Sequence, residues 1–174
     1  MWLGMARLGN GDFEGAWKAL QKAAASRNEV GLQVTYPLLD VLARCALARK
    51  DCDHSRRLAH ELLQLASEHH QPDYAARAHR LLAEAANLEG DFLKAAADIE
   101  RALASLQGLE AWSVEWQVHT TAARVFAKLG RHQECQDSLE LGRQAADRVA
   151  ATLFDEPELQ QRFRTRVAAE LAPV

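Results

Sequence analysis

The chain has 174 residues, 21 of them basic and 24 acidic, and is 48% hydrophobic and 6% aromatic. Nearly half of it can be buried and its net charge of −3 is small, which excludes a long disordered chain; at about 150 residues per domain it makes one compact unit or a short array of smaller ones. No apolar run reaches the ~18–20 residues that cross a bilayer, so no membrane association is expected, and no basic excess marks the chain for direct contact with nucleic acid.

Met1-Trp2-Leu3-Gly4-Met5-Ala6-Arg7 lacks a basic segment followed by an apolar core and does not read as a secretory signal. Cys45, Cys52 and Cys135 are too few and too irregular to frame a disulfide scaffold. A soluble, cytoplasmic protein is the expectation.

Alanine and leucine dominate, and Glu, Gln, Arg and Lys fill most remaining places; these types lose little side-chain freedom in a helix. No alternating apolar and polar run bounded by turns requires a strand. Nine helices fit, each about 15–20 residues long apart from a shorter first one. In chain order, Gly9-Asn10-Gly11-Asp12 interrupts the first periodic stretch and places Asp12 as the cap of a helix from Phe13 to Arg27. Gln71-Pro72-Asp73 separates two further helices, with Asp73 as the cap of the second. Near the end, Asp155-Glu156-Pro157-Glu158 resembles a capping box: Asp155 is the acceptor, Pro157 falls in the first turn and Glu158 follows three residues after the cap.

An internal repeat organises these helices. Gly11-Asp12-Phe13 recurs as Gly90-Asp91-Phe92, with weaker copies at Lys50-Asp51-Cys52 and Gly130-Arg131-His132, in steps of 39, 40 and 40 residues from Gly11 through Lys50 and Gly90 to Gly130. Other columns keep the register: Ala16, Ser55, Ala95 and Cys135; Leu20, Ala59, Ile99 and Leu139; Ala23, Leu62, Ala102 and Gly142; Gly4, Ala43, Ala83 and Ala123. Small residues thus sit on both helices of each unit, where they let two backbones cross closely. A fixed period in this range means stacked supersecondary units, each here an antiparallel helix pair.

The pattern resembles the tetratricopeptide repeat family. The first unit matches at Leu3, Gly4, Gly11, Asp12, Phe13, Ala16, Leu20 and Ala23, and the third at Leu82, Ala83, Gly90, Asp91, Phe92, Ala95, Ile99 and Ala102. Lys50 and Cys52 depart from it in the second turn, and Arg131 and His132 in the fourth. The period of about 40, longer than the usual ~34, is similar to the repeats of bacterial regulators such as the maltose-regulon activator and LuxR-type or kinase-linked ATPases. The resemblance implies an all-α, right-handed superhelix in a single domain, 1–174. Its helix pairs would occupy 1–28, 31–70, 73–107 and 109–150. A capping helix at 155–172 would cover the last pair through Leu159, Phe163, Val167 and Leu171. The first unit starts part-way along its first helix, with Trp2, Leu3 and Met5 at the beginning. The expectation is therefore a fragment of a longer protein, the alternative being a natural protein with a short, frayed first helix; self-association through that end into a homodimer is a second functional expectation.

Sites of chemistry are not expected. Gly9-x-Gly11-x-x-x-Gly15 lacks the strand context of a dinucleotide fingerprint and the Gly-Lys-Ser/Thr of a Walker loop, so these read as turn glycines and no cofactor is implied. Seven histidines and three cysteines offer no CxxC, HxxxH or HExxH, and no metal is expected. No nucleophile, base and orienting group can be grouped, so catalysis is not expected either. Trp112 and Trp116 share a helix face with His119 and read as core, with an aromatic binding anchor as the alternative.

The family resemblance implies that the first helices of successive pairs line a concave face. Its outward positions would be Met5, Arg44, Glu84 and Arg124; Asp40, Arg80 and Thr120; Pro37, Arg77 and Gln117; and Asn87 and Lys128. Among these, Arg44, Arg77, Arg80, Arg124 and Lys128 outnumber Asp40 and Glu84, so the face is expected to be electropositive. Arginine forks favour carboxylate or phosphate, which points to an acidic protein or peptide partner or a small anionic effector. The expected function is a non-catalytic interaction or effector-sensing module, the C-terminal part of a bacterial signalling or transcriptional regulator. Reversing the charge at Arg80 and Arg124 is expected to abolish binding while sparing the fold.

Overall fold

The computed structural model describes residues 2–25 and 31–172, which form nine α-helices and no strand. They are α1 (Trp2–Gly9), α2 (Phe13–Ala25), α3 (Leu32–Ala48), α4 (Cys52–Glu68), α5 (Pro72–Leu88), α6 (Phe92–Ser105), α7 (Trp112–Lys128), α8 (His132–Ala151) and α9 (Pro157–Glu170). Two are shorter than expected, α6 and α9 at 14 residues each. The expected extension of α2 to Arg27 lies outside the described residues, as does Met1. Among the described residues, no helix is long and apolar enough to cross a membrane.

The hairpin turns repeat one backbone geometry. Gly11, Lys50, Gly90 and Gly130 are all left-handed, with φ of 78°, 61°, 81° and 70°. The next amide in each turn donates back to a carbonyl five residues earlier, Asp12 to Arg7, Asp51 to Ala46, Asp91 to Ala86 and Arg131 to Phe126, each at 2.9 Å. This closure satisfies the carbonyls left open where a helix ends. Asp12, Asp51 and Asp91 then cap the following helix, accepting from the amides of Gly15, His54 and Lys94 at 2.9, 3.0 and 3.1 Å. In the fourth turn Arg131 has no acceptor to offer; its guanidinium instead pairs with Glu134 and Glu100 and lies over the Phe126 ring.

Two expected caps sit elsewhere. Gln71 caps α5 and Glu156 caps α9, neither through its side chain, with Pro72 and Pro157 opening the two helices. Proline lacks an amide hydrogen and favours the first helical position, which makes the residue before it the cap. Asp73 therefore falls inside the first turn, and Asp155 lies one residue too early.

Consecutive helices pack on one another along the whole chain; in addition α3 packs on α5, and α5 on α7. The short turns make each pair antiparallel, and the contacts between alternate helices stack the pairs into a helical solenoid. Small residues make the close crossings: Ala16, Ser55, Ala95, Ala43 and Ala83 are fully buried. A methyl group on Gly4 would come within 2.5 Å of the Leu20 side chain.

The buried layers are shared between neighbours. α5 gives Leu81, Leu82 and Ala85 to the first core, and Ala76, Ala83 and Ala86 to the second. α7 gives Val118, Val125 and Phe126 to the second core, and Trp116 and Ala123 to the third. No hairpin could hide both faces alone, and each buried large aliphatic side chain contributes roughly 1.5–3 kcal/mol. Leu3, which the repeat aligns with the buried Leu42 and Leu82, is instead 59% exposed.

α9 was expected to cover the last pair. Phe163, Val167 and Leu171 do pack there, with the Phe163 ring edge-on to Trp116 at 5.7 Å, but Leu159 is exposed. α9 also lies along the side of the stack formed by the first helices: Arg166 and Glu170 line a cavity together with Arg44 of α3 and Arg80 of α5.

Candidate functional site

The 40-residue step places equivalent residues of α3, α5 and α7 side by side, so the expected site residues fall into rows across the stack. Asp40, Arg80 and Thr120 form one row, Arg44, Glu84 and Arg124 the next. The first row is not displayed outward as expected: Asp40, Arg80 and Thr120 are 4%, 5% and 2% exposed. The direct packing of α3 on α5 and of α5 on α7 closes this row into the seams between helices. Thr120 spends its hydroxyl on the Trp116 carbonyl of its own helix, at 2.7 Å.

The charges in and beside this seam are interlocked. Asp40 lies 3.9 Å from Arg44 and 3.8 Å from Arg77, joining α3 to α5. Arg80 donates through Nη1 to Glu84 Oε1 at 2.5 Å, and the Thr121 hydroxyl of α7 donates to the same oxygen at 2.9 Å. Burial pushes the Glu84 carboxyl up, but Arg80, the Thr121 hydroxyl, Arg124 and Arg44 together outweigh it and hold it below its ordinary value. Burial lowers the Arg44 guanidinium, with Asp40 opposing and the neighbouring Arg80 and Arg166 adding to the shift. A guanidinium so lowered still remains charged at neutral pH.

Above this network lies a small cavity of about 50 Å³, walled by α3, α5, α7 and α9. Of the expected residues, the fold brings Arg44, Arg80, Glu84, Gln117 and Arg124 to it. The others lie apart. Arg77 sits 5.6 Å from the centre of the Tyr74 ring and lines a separate groove with Pro72, Leu109 and Ser113. Asn87 is half-buried, and Lys128 is exposed beyond the cavity. Met5 packs against the first core and Pro37 is half-buried on α3.

Sequence reasoning missed Trp116, Thr121, Arg166 and Glu170 as cavity residues. Thr121 lies next to a position the repeat register did select. Arg166 and Glu170 form an i,i+4 ion pair at 2.7 Å, each immediately preceding an apolar residue of the α9 stripe. That flanking charge pair was the available signal that α9 has a polar edge turned toward the side lined by α3, α5 and α7.

Trp112 and Trp116 divide their roles: Trp116 is buried against α9, while Trp112 is half-buried with Arg148 over its ring at 5.7 Å. The Cys45 thiol donates to the Phe13 carbonyl at 3.3 Å, and burial raises its pKa. Among the described residues, no group of three or more His, Cys, Asp and Glu side chains is placed to hold a metal ion. Compared with known proteins, the chain matches no family model and no curated sequence.

Proposed function

We propose that this chain is a non-catalytic solenoid of the tetratricopeptide type that binds an acidic protein or peptide along the side lined by α3, α5 and α7, as a sensor or scaffold module of a cytoplasmic bacterial regulator. One observation carries the proposal: the first helices of successive pairs stack on each other and bring Arg44, Arg80 and Arg124 to one cavity, with Arg166 added by α9. A surface with an excess of one charge attracts partners of the other sign, and arginine forks hold carboxylates. The test is fluorescence anisotropy with a labelled Glu/Asp-rich octapeptide. Binding should weaken as salt rises and drop about tenfold in Arg44→Gln/Arg124→Gln. Affinity unchanged by both would reject the assignment.

A second reading is favoured by Trp2 and Leu3 on α1, which are 74% and 59% exposed. Adjacent exposed apolar side chains suit self-association. Sedimentation over a range of concentrations separates the two readings: a dimer abolished by Trp2→Gln/Leu3→Gln supports the second, and a concentration-independent monomer rejects it.

A further inference from the structure

The cavity between α3, α5, α7 and α9 has more positive charge than its own carboxylates use. Arg44, Arg80, Arg124 and Arg166 face it, against Glu84 and Glu170. Both carboxylates are engaged, Glu84 by Arg80 Nη1 and Thr121, and Glu170 by Arg166 Nε. Asp40 also lies 3.9 Å from Arg44, which leaves one guanidinium charge in excess around a space of about 50 Å³, large enough for a single small oxyanion.

Arg80 gives this surplus a direction. It is only 5% exposed, and its Nε and Nη2 are buried without a hydrogen-bond partner among the described residues. These two nitrogens form one edge of the guanidinium, with parallel N–H bonds spaced to grip two oxygens of one anion. Buried donors are satisfied in the great majority of proteins, and charged ones are the least tolerant of isolation. A carboxylate could use the edge with its two oxygens, but a tetrahedral oxyanion has further oxygens to offer the arginines on the other walls.

We propose that this cavity binds a small phosphate-class dianion, either inorganic phosphate or the phosphoryl group of a small phosphomonoester, seated on the Nε–Nη2 edge of Arg80 with Arg44, Arg124 and Arg166 around it. The inference rests on the reading of the inner face as the binding surface and names a ligand for it. It also gives α9 a role. Because Arg166 belongs to α9 and the other three arginines to α3, α5 and α7, the anion ties the last helix to the three first helices. Occupancy then reports on, and biases, the seating of α9, in proportion to the difference in affinity between its seated and unseated states.

Isothermal titration calorimetry of the full chain at constant ionic strength tests this, with sodium phosphate and glycerol 3-phosphate as probes. The expected result is saturable binding at one site. It should weaken by about tenfold or more in Arg80→Gln and in Arg166→Gln, with slowed amide exchange in 157–170 when phosphate is bound. Should Arg80→Gln fail to fold, Arg166→Gln keeps the test intact, because the Arg166 side chain is 56% exposed and removing its charge leaves the core untouched. Tighter binding of phosphate identifies the free anion as the ligand, and tighter binding of glycerol 3-phosphate identifies the monoester. Absence of saturable heat with both probes up to on the order of 10 mM, or affinity unchanged in the variants, overturns the proposal. Octapeptide binding without phosphate binding would sink this inference alone; phosphate binding without octapeptide binding would sink the peptide-partner reading alone.

Discussion

Arg80 and Glu84 stand one turn apart on α5, and their contact, Nη1 to Oε1 at 2.5 Å, is extended to α7 by the Thr121 hydroxyl on the same carboxylate oxygen. One carboxylate thereby fastens two neighbouring first helices and fixes the orientation of Arg80, the most deeply buried arginine lining the cavity. The pair belongs at once to the packing of the solenoid and to its candidate site.

Breaking that pair on one side should be costly. Arg80→Met leaves Glu84 half-buried without its main partner, a loss of about 1–3 kcal/mol. Replacing both residues with methionine should recover most of it, since apolar side chains of similar volume substitute well for interior ion pairs. Urea unfolding of the two single variants and the double variant checks this. By the same reasoning the charge reversal Arg80→Glu, which the sequence alone suggested would spare the fold, should destabilise it, because it sets a second carboxylate against Glu84.

Acid should weaken the protein in a defined order. Burial raises the Glu84 and Asp98 carboxyls, but Arg80 with Thr121 in one case, and His79 with Arg101 in the other, more than reverse it, so both sit below their ordinary values. The folded chain therefore binds fewer protons than the unfolded chain as pH falls through the ordinary carboxyl range. Their stabilisation is complete above about pH 5 and is lost toward pH 3. Burial also lowers His119, with the same sign and an onset near pH 6.5. The urea midpoint should fall first gently below about pH 6.5 and then steeply below pH 5, with the steep part shallower in Glu84→Gln. A midpoint that rises on acidification contradicts these assignments.

Lys50 occupies the left-handed position that Gly11, Gly90 and Gly130 fill in the other three turns, at φ 61°. A side chain there is strained by roughly 1 kcal/mol relative to glycine. Lys50→Gly should stabilise the protein by about that amount, less the entropy glycine adds to the unfolded chain, and Gly90→Ala should destabilise it comparably. Thermal unfolding of the two variants would show opposite shifts; equal losses in both would mean that the turns are not equivalent.

The repeat and its turns were legible because backbone geometry repeats with sequence period, and the same signal carried over Lys50 and Arg131, where the local residues are atypical. The buried small columns were legible for the same reason. Two things were not. The burial of Asp40, Arg80 and Thr120 depends on how closely α3, α5 and α7 approach, which is a property of neighbouring units and not of any one helix. The path of α9 depends on Gly142, where a methyl group would already lie 3.3 Å from both His119 and Leu171. Its place in a column with Ala23 and Ala102 announced a close crossing but not that α9 would be a party to it.

That crossing can be tested separately. Gly142→Val should push Leu171 away and unseat α9, at roughly 1–3 kcal/mol, while the hairpins before it remain folded. Limited proteolysis should then cut within 152–170 far faster than in the original chain. Equal cleavage rates would mean that α9 does not rest on Gly142.

Hydrogen exchange measured by mass spectrometry, with and without the saturating Glu/Asp-rich octapeptide, addresses inner-face binding most directly. Protection should concentrate on α3, α5, α7 and the Arg166 turn of α9, leaving α2, α4, α6 and α8 unchanged. Protection confined to those second helices, or to α1 around Trp2, would contradict it.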